Sequence, residues 1–260
     1  MNTRIHAYYF THPGSIRTEN EDSLLIQDIL INHTSMDAPT LSEWVCEESR
    51  FIVADGIGGE AKGEVASNLV LASIRDTPAD LTGESGIRDL LTGAKERLEE
   101  YVAEHPDAHN LGCTLAGVFL TKEGGIAFNA GDCRVYRING TFFEQMTRDH
   151  SLVQTLLDAG AITEEEMRHH PRRNVVTSSV SGDGNPDPVE VFTKEFRLRS
   201  DDTFFICCDG IWGSFSHDEL EMIYQRFPGP DFCGKIQTAA LARGASDNIS
   251  AILVMTSQVE

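Results

Sequence analysis

The stretch Phe51-Ile52-Val53-Ala54-Asp55-Gly56-Ile57-Gly58-Gly59 decides how this chain is read. Four apolar residues in a row predict a buried strand, and that strand delivers a carboxylate followed at once by glycine. The pattern recurs. Ile126-Ala127-Phe128 runs up to Asp132 in G-D-C-R, Phe204 to Cys208 runs up to Asp209 in C-D-G-I-W, and Asp247 stands in S-D-N-I-S. A single Asp-Gly pair more often marks only a turn, since both residues tolerate turn geometry. Four aspartates in such settings predict strand ends converging on one point. Carboxylates brought that close repel one another unless a cation lies between them. Hard oxygen ligands suit magnesium or manganese rather than zinc.

Composition bounds the partners. The chain has 260 residues with 41 acidic against 21 basic, a net charge of −20. That excludes a phosphate backbone or an anionic membrane as the expected partner, because both need basic patches. The N-terminal Met1–Phe10 segment lacks the apolar core of a signal peptide, and Ala251–Met255 is far too short to span a bilayer. Six cysteines (Cys46, Cys113, Cys133, Cys207, Cys208, Cys233) form no C-x-x-C pair and read as small buried thiols in a reducing, cytoplasmic setting.

Strands are expected at 6–10, 23–27, 51–54, 114–120, 126–130, 135–138, 189–198, 203–208 and 249–255. Gly124-Gly125 and Asn139-Gly140 supply hairpin turns, so an antiparallel meander is expected. Helical stripes run through Val65, Leu69, Ala72 and Ile74, and through Leu90, Leu91, Ala94, Leu98, Tyr101 and Val102. Ser216 with Glu219 fits a capping box, and a further helix over 231–243 ends at Gly244. Residues 32–44 read as a polar loop. Residues 147–184, with short helices at 151–159 and 163–169, read as a flap over a site. Two packed sheets with helices outside follow, in a single domain spanning 1–260.

In order along the chain stand R-x-x-N-E-D from Arg17 to Asp22, D-G-I-G-G-x-x-x-G-E-x-A-S, G-x-T, G-D-C-R, D-H-S-L, C-D-G-I-W and S-D-N-I-S. Jointly, from Gly14 to Val254, these closely resemble the metal-dependent protein phosphatases, the type 2C (PPM) Ser/Thr phosphatases, and within them the bacterial branch. The resemblance implies an α+β, four-layer αββα sandwich: two antiparallel sheets flanked by helix pairs, with a flap near the metals. It implies that Asp55 bridges two cations and that Asp209 and Asp247 complete the first site. The Gly56 carbonyl, with Glu21 or Asp22, contributes to the second site, and Asp132 with Asp209 resembles a third. Arg17 resembles the phosphate-binding arginine, and Asn248 an orienter of Asp247. Gly112 and Thr114 read as structural.

What the resemblance implies chemically is hydrolysis of phosphoserine and phosphothreonine by a metal-activated water, in line and without a phosphoenzyme. Two manganese or magnesium ions are expected, with a place for a third. The substrate is a phosphoprotein of a cognate Ser/Thr kinase, and the enzyme is expected to act as a monomer. No C-x5-R loop is present for thiol chemistry. The pattern departs from relatives at Ile57, Glu60 and Glu21, and in 176–182; Ile57 in particular has no proton to give a leaving group. Asp183, Asn185 and Asp187 imitate the start of a calcium loop, but Lys194 stands where its closing glutamate belongs. His169 and His170 lack metal spacing. The alternatives are a small-phosphoester hydrolase and a binding-only pseudophosphatase; retention of all four aspartates and Arg17 argues against the latter. The D-G-I-G-G-E-A-K-G-E stretch also resembles phosphatases that oppose a kinase in type VI secretion.

Overall fold

The computed structural model describes residues 3–57, 62–78, 83–109, 111–122, 124–199 and 201–258. Gly58, Gly59 and Glu60 of the opening motif lie outside them. In chain order the elements are β1 (Thr3–His12), β2 (Ser23–Ile26), β3 (Ile29–Ile31), β4 (Thr40–Cys46), β5 (Ser49–Ile57), α1 (Gly63–Asp76), α2 (Gly83–Glu104), β6 (Gly112–Leu120), β7 (Gly125–Ala130), β8 (Arg134–Asn139), β9 (Phe142–Gln145), α3 (Leu152–Asp158), α4 (Glu164–His169), β10 (Val180–Ser181), β11 (Phe192–Phe196), β12 (Thr203–Cys207), α5 (Asp209–Trp212), α6 (His217–Arg226), α7 (Pro230–Ala242) and β13 (Ile249–Gln258). One sheet has the order β4-β1-β13-β12-β8-β9. The other runs β11-β7-β6-β5-β2-β3, with β10 added to β6. Every pairing is antiparallel.

The opening stretch shows why the chain folds this way. Phe51 and Val53 face the other sheet, together with Leu24, Ile26 and Val118. Ile52 and Ala54 face the opposite way, toward Val70, Leu71 and Leu91 of α1 and α2. Both faces of β5 are covered, so its run is continuously apolar rather than alternating. Layers follow in the order α1–α2, sheet, sheet, α6–α7, as the motif set implied. Among the described residues no helix is long and apolar enough to cross a membrane.

Three expectations change in detail. The 32–44 loop is half strand: β4 pairs with β1 from Thr3↔Cys46 to Tyr9↔Thr40. It is an edge strand whose Leu41 and Val45 stay about half exposed, at 51% and 49%, so its apolar signal is weak. The buried stripe of α1 is Gly63, Ala66, Ser67, Val70, Leu71 and Ile74; of the expected stripe Ile74 is buried, while Val65, Leu69 and Ala72 sit beside it. Small residues at its start let the helix lie close on the sheet. The strand expected at 189–198 shortens to β11. The capping box at Ser216 and Glu219 forms, and the last helix stops before Gly244 at φ +92°.

Candidate active site

The centre forms where the interface between the two sheets opens at one end. Asp55 follows Phe51 and Val53 on the inter-sheet face of β5, two residues before the strand's end, and pairs across to Thr114. Asp22, just before β2, shares the face of Leu24 and Ile26. Asp132 lies in the β7–β8 turn, Asp209 opens α5 directly behind β12, and Asp247 precedes β13. Asp55, Asp132, Asp209 and Asp247 line one cleft of about 800 Å³ together with Arg17, Glu21 and Gly56. The structure thus gathers every expected site residue, with Asp22 beneath the cleft floor rather than on its wall.

The electrostatics of this cluster are those of a cation site. Burial, then the charges of Asp22, Asp209, Asp132 and Asp247, hold the Asp55 carboxyl well above the usual range. Burial and Asp209 do the same to Asp132. Asp209 is pushed up to about 6 by burial and Asp247, and Asp22 to about 7, again by burial first. Both carboxylate oxygens of Asp22 are fully buried without a hydrogen-bond partner. Among the described residues only the Ser250 hydroxyl and the Cys208 thiol lie near enough to ease its charge, both are already bonded elsewhere, and burial outweighs them. The donor set fits hard divalent cations: carboxylates plus the Gly56 carbonyl, in one place, with unanswered negative charge. Asp22, Asp55 and Cys208 each present an atom within 4.8 Å of the others. The Cys208 thiol is already engaged, donating to the Asn248 carbonyl at 3.5 Å and accepting the Ser250 N–H at 3.2 Å. Burial raises it far above the ordinary thiol range, which leaves the oxygens as the ligands.

Local contacts explain why these residues hold still. The Glu21 carbonyl accepts from the Gly56 N–H at 3.2 Å and the Ser67 hydroxyl at 2.6 Å. Its carboxylate accepts the Gly63 N–H at the start of α1 at 3.3 Å, where the helix dipole favours an anion. A Cβ on Gly56 would collide with the Gly63 carbonyl, so only glycine lets α1 approach here. Arg17, half exposed, rests on Asp247 with Nη2 at 3.1 Å from Oδ1 and 3.3 Å from Oδ2.

The role expected of Asn248 is different in kind. Its side chain accepts the Glu21 N–H at 2.8 Å and donates to the carbonyls of Pro13 (3.1 Å) and Glu19 (2.9 Å). It is the Asn248 backbone N–H that meets Asp247, at 3.0 Å. Thr114, expected to be structural, also lines the cleft.

Other supports were not visible in the motifs. Trp212 donates Nε1–H to the Asp132 carbonyl at 2.8 Å, and the Arg134 guanidinium lies 3.9 Å over its ring. The His150 ring accepts the Gly131 N–H on Nδ1 at 3.1 Å, and the His150 backbone N–H donates to the Gly131 carbonyl at 2.8 Å. Burial lowers its pKa, so it is the neutral ring that clasps the Asp132 turn. The signal was present, since Trp212 and His150 sit inside two of the motifs, but contacts between distant segments have no spacing to read.

Two antiparallel sheets that open on a nest of uncompensated carboxylates, with an arginine at the rim, define a metal-dependent phosphohydrolase. The family model described as Protein phosphatase 2C matches residues 36–254, and the chain belongs to that family, whose members are metal-dependent serine/threonine protein phosphatases. The chain is 29% identical over 258 residues to the serine/threonine phosphatase stp of Listeria monocytogenes, covering 96% of this chain and 95% of that one. It is also similar to the crystal structure of the serine/threonine phosphatase Stp1 from Staphylococcus aureus (27% identity, TM-score 0.79, 98% of this chain and 94% of that one). A third similarity is to PppA, described as a key regulatory component of T6SS in Pseudomonas aeruginosa (28% identity, TM-score 0.75, 97% of each chain).

Proposed function

We propose that Asp55, Asp209 and Asp247, with the Gly56 carbonyl and Glu21, hold two manganese or magnesium ions, and that Asp132 with Asp209 offers a third and weaker place. The observation that carries this is the convergence of Asp55, Asp132, Asp209 and Asp247 on one cleft, their charge far from balanced by Arg17 at the rim, with the buried carboxylate of Asp22 beneath them. When bound, such cations lower the pKa of water and polarise the oxygens of a phosphoryl group.

The chain's own residues supply the rest. Arg17 stands at the rim with one nitrogen, Nη2, on an anion, Asp247, and the rest of its planar fork is left for a phosphoryl group. Asp22 lies with a carboxylate oxygen within 4.8 Å of one on Asp55, where it adds negative charge beneath the cation site. Ile57 lines the cleft 39% exposed and offers no proton to the departing oxygen. The substrate is then a phosphorylated protein segment made by a Ser/Thr kinase. The likeness to PppA, together with the D-G-I-G-G-E-A-K-G-E stretch, supports a partner in type VI secretion.

The test is dephosphorylation of a phosphothreonine peptide. Activity should vanish in EDTA and return with manganese, and full activity in EDTA would overturn the reading.

A further inference from the structure

Two clefts meet over the carboxylate cluster, and they differ in charge: acids dominate the lining of the first, whereas basic residues gather in the second. Asn174, Asp209 and Asp247 line both. The first, described above, continues along a wall bearing Asp183, Asp187 and Glu190, none of which makes an ion pair among the described residues. Lys95, on the same wall, donates its ammonium to the backbone carbonyls of Asn185 and Asp187 and pairs with Glu99 at 3.8 Å, so it neutralises none of these three acids. The second, a groove of about 720 Å³, is lined by Arg134, Arg148, Arg168, Arg173 and Lys194. In a chain with only 21 basic residues against 41 acidic, that is a concentration of positive charge.

Three of these cations are spoken for: Arg134 by Asp149, Arg148 by Asp158 and Lys194 by Glu144. Arg168 reaches only the Phe215 carbonyl, at 3.4 Å, and Arg173 makes no ion pair among the described residues. Both are exposed, with exposed Arg172 beside them. Besides Asp209 and Asp247 at the shared centre, the groove's acids are Glu164 and Asp218, in the first turns of α4 and α6, where helix N-termini favour an anion. Arg173 is the neighbour of Asn174, at the junction of the two clefts.

We propose that the phosphoprotein segment lies across the centre with acidic side chains in the Arg168–Arg173 groove and basic ones along the Asp187–Glu190 wall. This rests on the phosphatase reading and adds the charge pattern of its substrate. The pattern is not what the whole molecule dictates. A net charge of −20 alone favours basic peptides on either flank of the phosphate.

Two phosphothreonine peptides of identical composition test it. One carries three aspartates before the phosphothreonine and three lysines after it, and the other has the blocks exchanged. Net charge is equal, so only their placement can matter. At low salt the wild-type enzyme should prefer one peptide by about tenfold in kcat/KM, mostly through KM, and the ratio should shrink in roughly 0.5 M salt as screening shortens the reach of exposed charges. Arg168→Glu with Arg173→Glu should bring the ratio close to one or invert it. Arg168→Gln with Arg173→Gln should fall between, while turnover of p-nitrophenyl phosphate and the circular dichroism spectrum stay as in wild type. Equal rates on the two peptides, or a ratio untouched by charge reversal, would overturn the inference alone. No manganese-dependent turnover of any substrate, aryl ester included, would overturn the phosphatase reading and this inference with it.

Discussion

The floor and the rim of the centre are built by opposite means. The floor is Asp22, Asp55 and Asp209, carried by β2, β5 and the β12–α5 junction and locked between two sheets. Its carboxyls are pushed toward the neutral form because burial and mutual repulsion act together. The rim is Arg17, Glu21 and Asp247 on irregular segments. There Arg17 and Asp247 remain 50% and 36% exposed, and an exposed ion pair is worth little, about 0–1 kcal/mol. Charge is thus stored where the backbone is rigid and exchanged where it is accessible. A site that must bind cations tightly yet release phosphate and peptide needs that division.

The largest effect should come from breaking the floor. Asp55→Asn or Asp209→Asn removes a ligand charge while keeping shape, and each should lower kcat by at least about a hundredfold, as losing the water-activating ion does. Metal content measured on the same variants checks that the ion, and not the fold, was lost. Retained activity with full metal content would mean the floor is only structural.

A second effect separates floor from rim by pH. Asp22 and Asp209 rise from 3.8 to about 7 and about 6 on folding without a cation. Between those values the folded state holds more protons than the unfolded one. Their contribution to stability is therefore full below about pH 4 and is lost as pH climbs through 6 to 7. Melting temperature in EDTA should fall across that window, and manganese should raise it more at pH 7.5 than at pH 5. A manganese increment equal at both pH values would show that the floor carboxyls are not the ones that bind.

The smallest effect belongs to the rim. Arg17→Ala should raise KM for phosphopeptide and weaken inhibition by inorganic phosphate several-fold, with metal content intact. Lys should restore only part, since it lacks the two-pronged fork. An unchanged KM would make Arg17 a partner of Asp247 and nothing more.

The same contrast governs what the sequence disclosed. The floor was legible because β5 is apolar on both faces and carries a carboxylate close to its end, a pattern with few other meanings. β4 was hidden because an edge strand with Leu41 and Val45 facing outward looks like polar loop. The true phase of α1 was masked by Ala66 and Ser67, small residues that carry little apolar signal yet face the sheet. The Arg17 contact with Asp247 spans 230 residues, and His150 and Trp212 reach the Asp132 turn from other segments. No local periodicity encodes such meetings.

Asn248 joins the start of the chain to the segment before β13, through Pro13, Glu19 and Glu21. Synthesis is vectorial, so a nascent chain that has already emerged as far as α6 still lacks Asp247, Asn248 and the strand that separates β1 from β12. It holds Arg17 with no Asp247 for its fork, and β1 has no inner neighbour. A chain that lacks this last strand therefore lacks both the Asp247 carboxylate and the Asn248 tie to Glu21, so the rim of the cleft is completed only when the final segment is laid between β1 and β12.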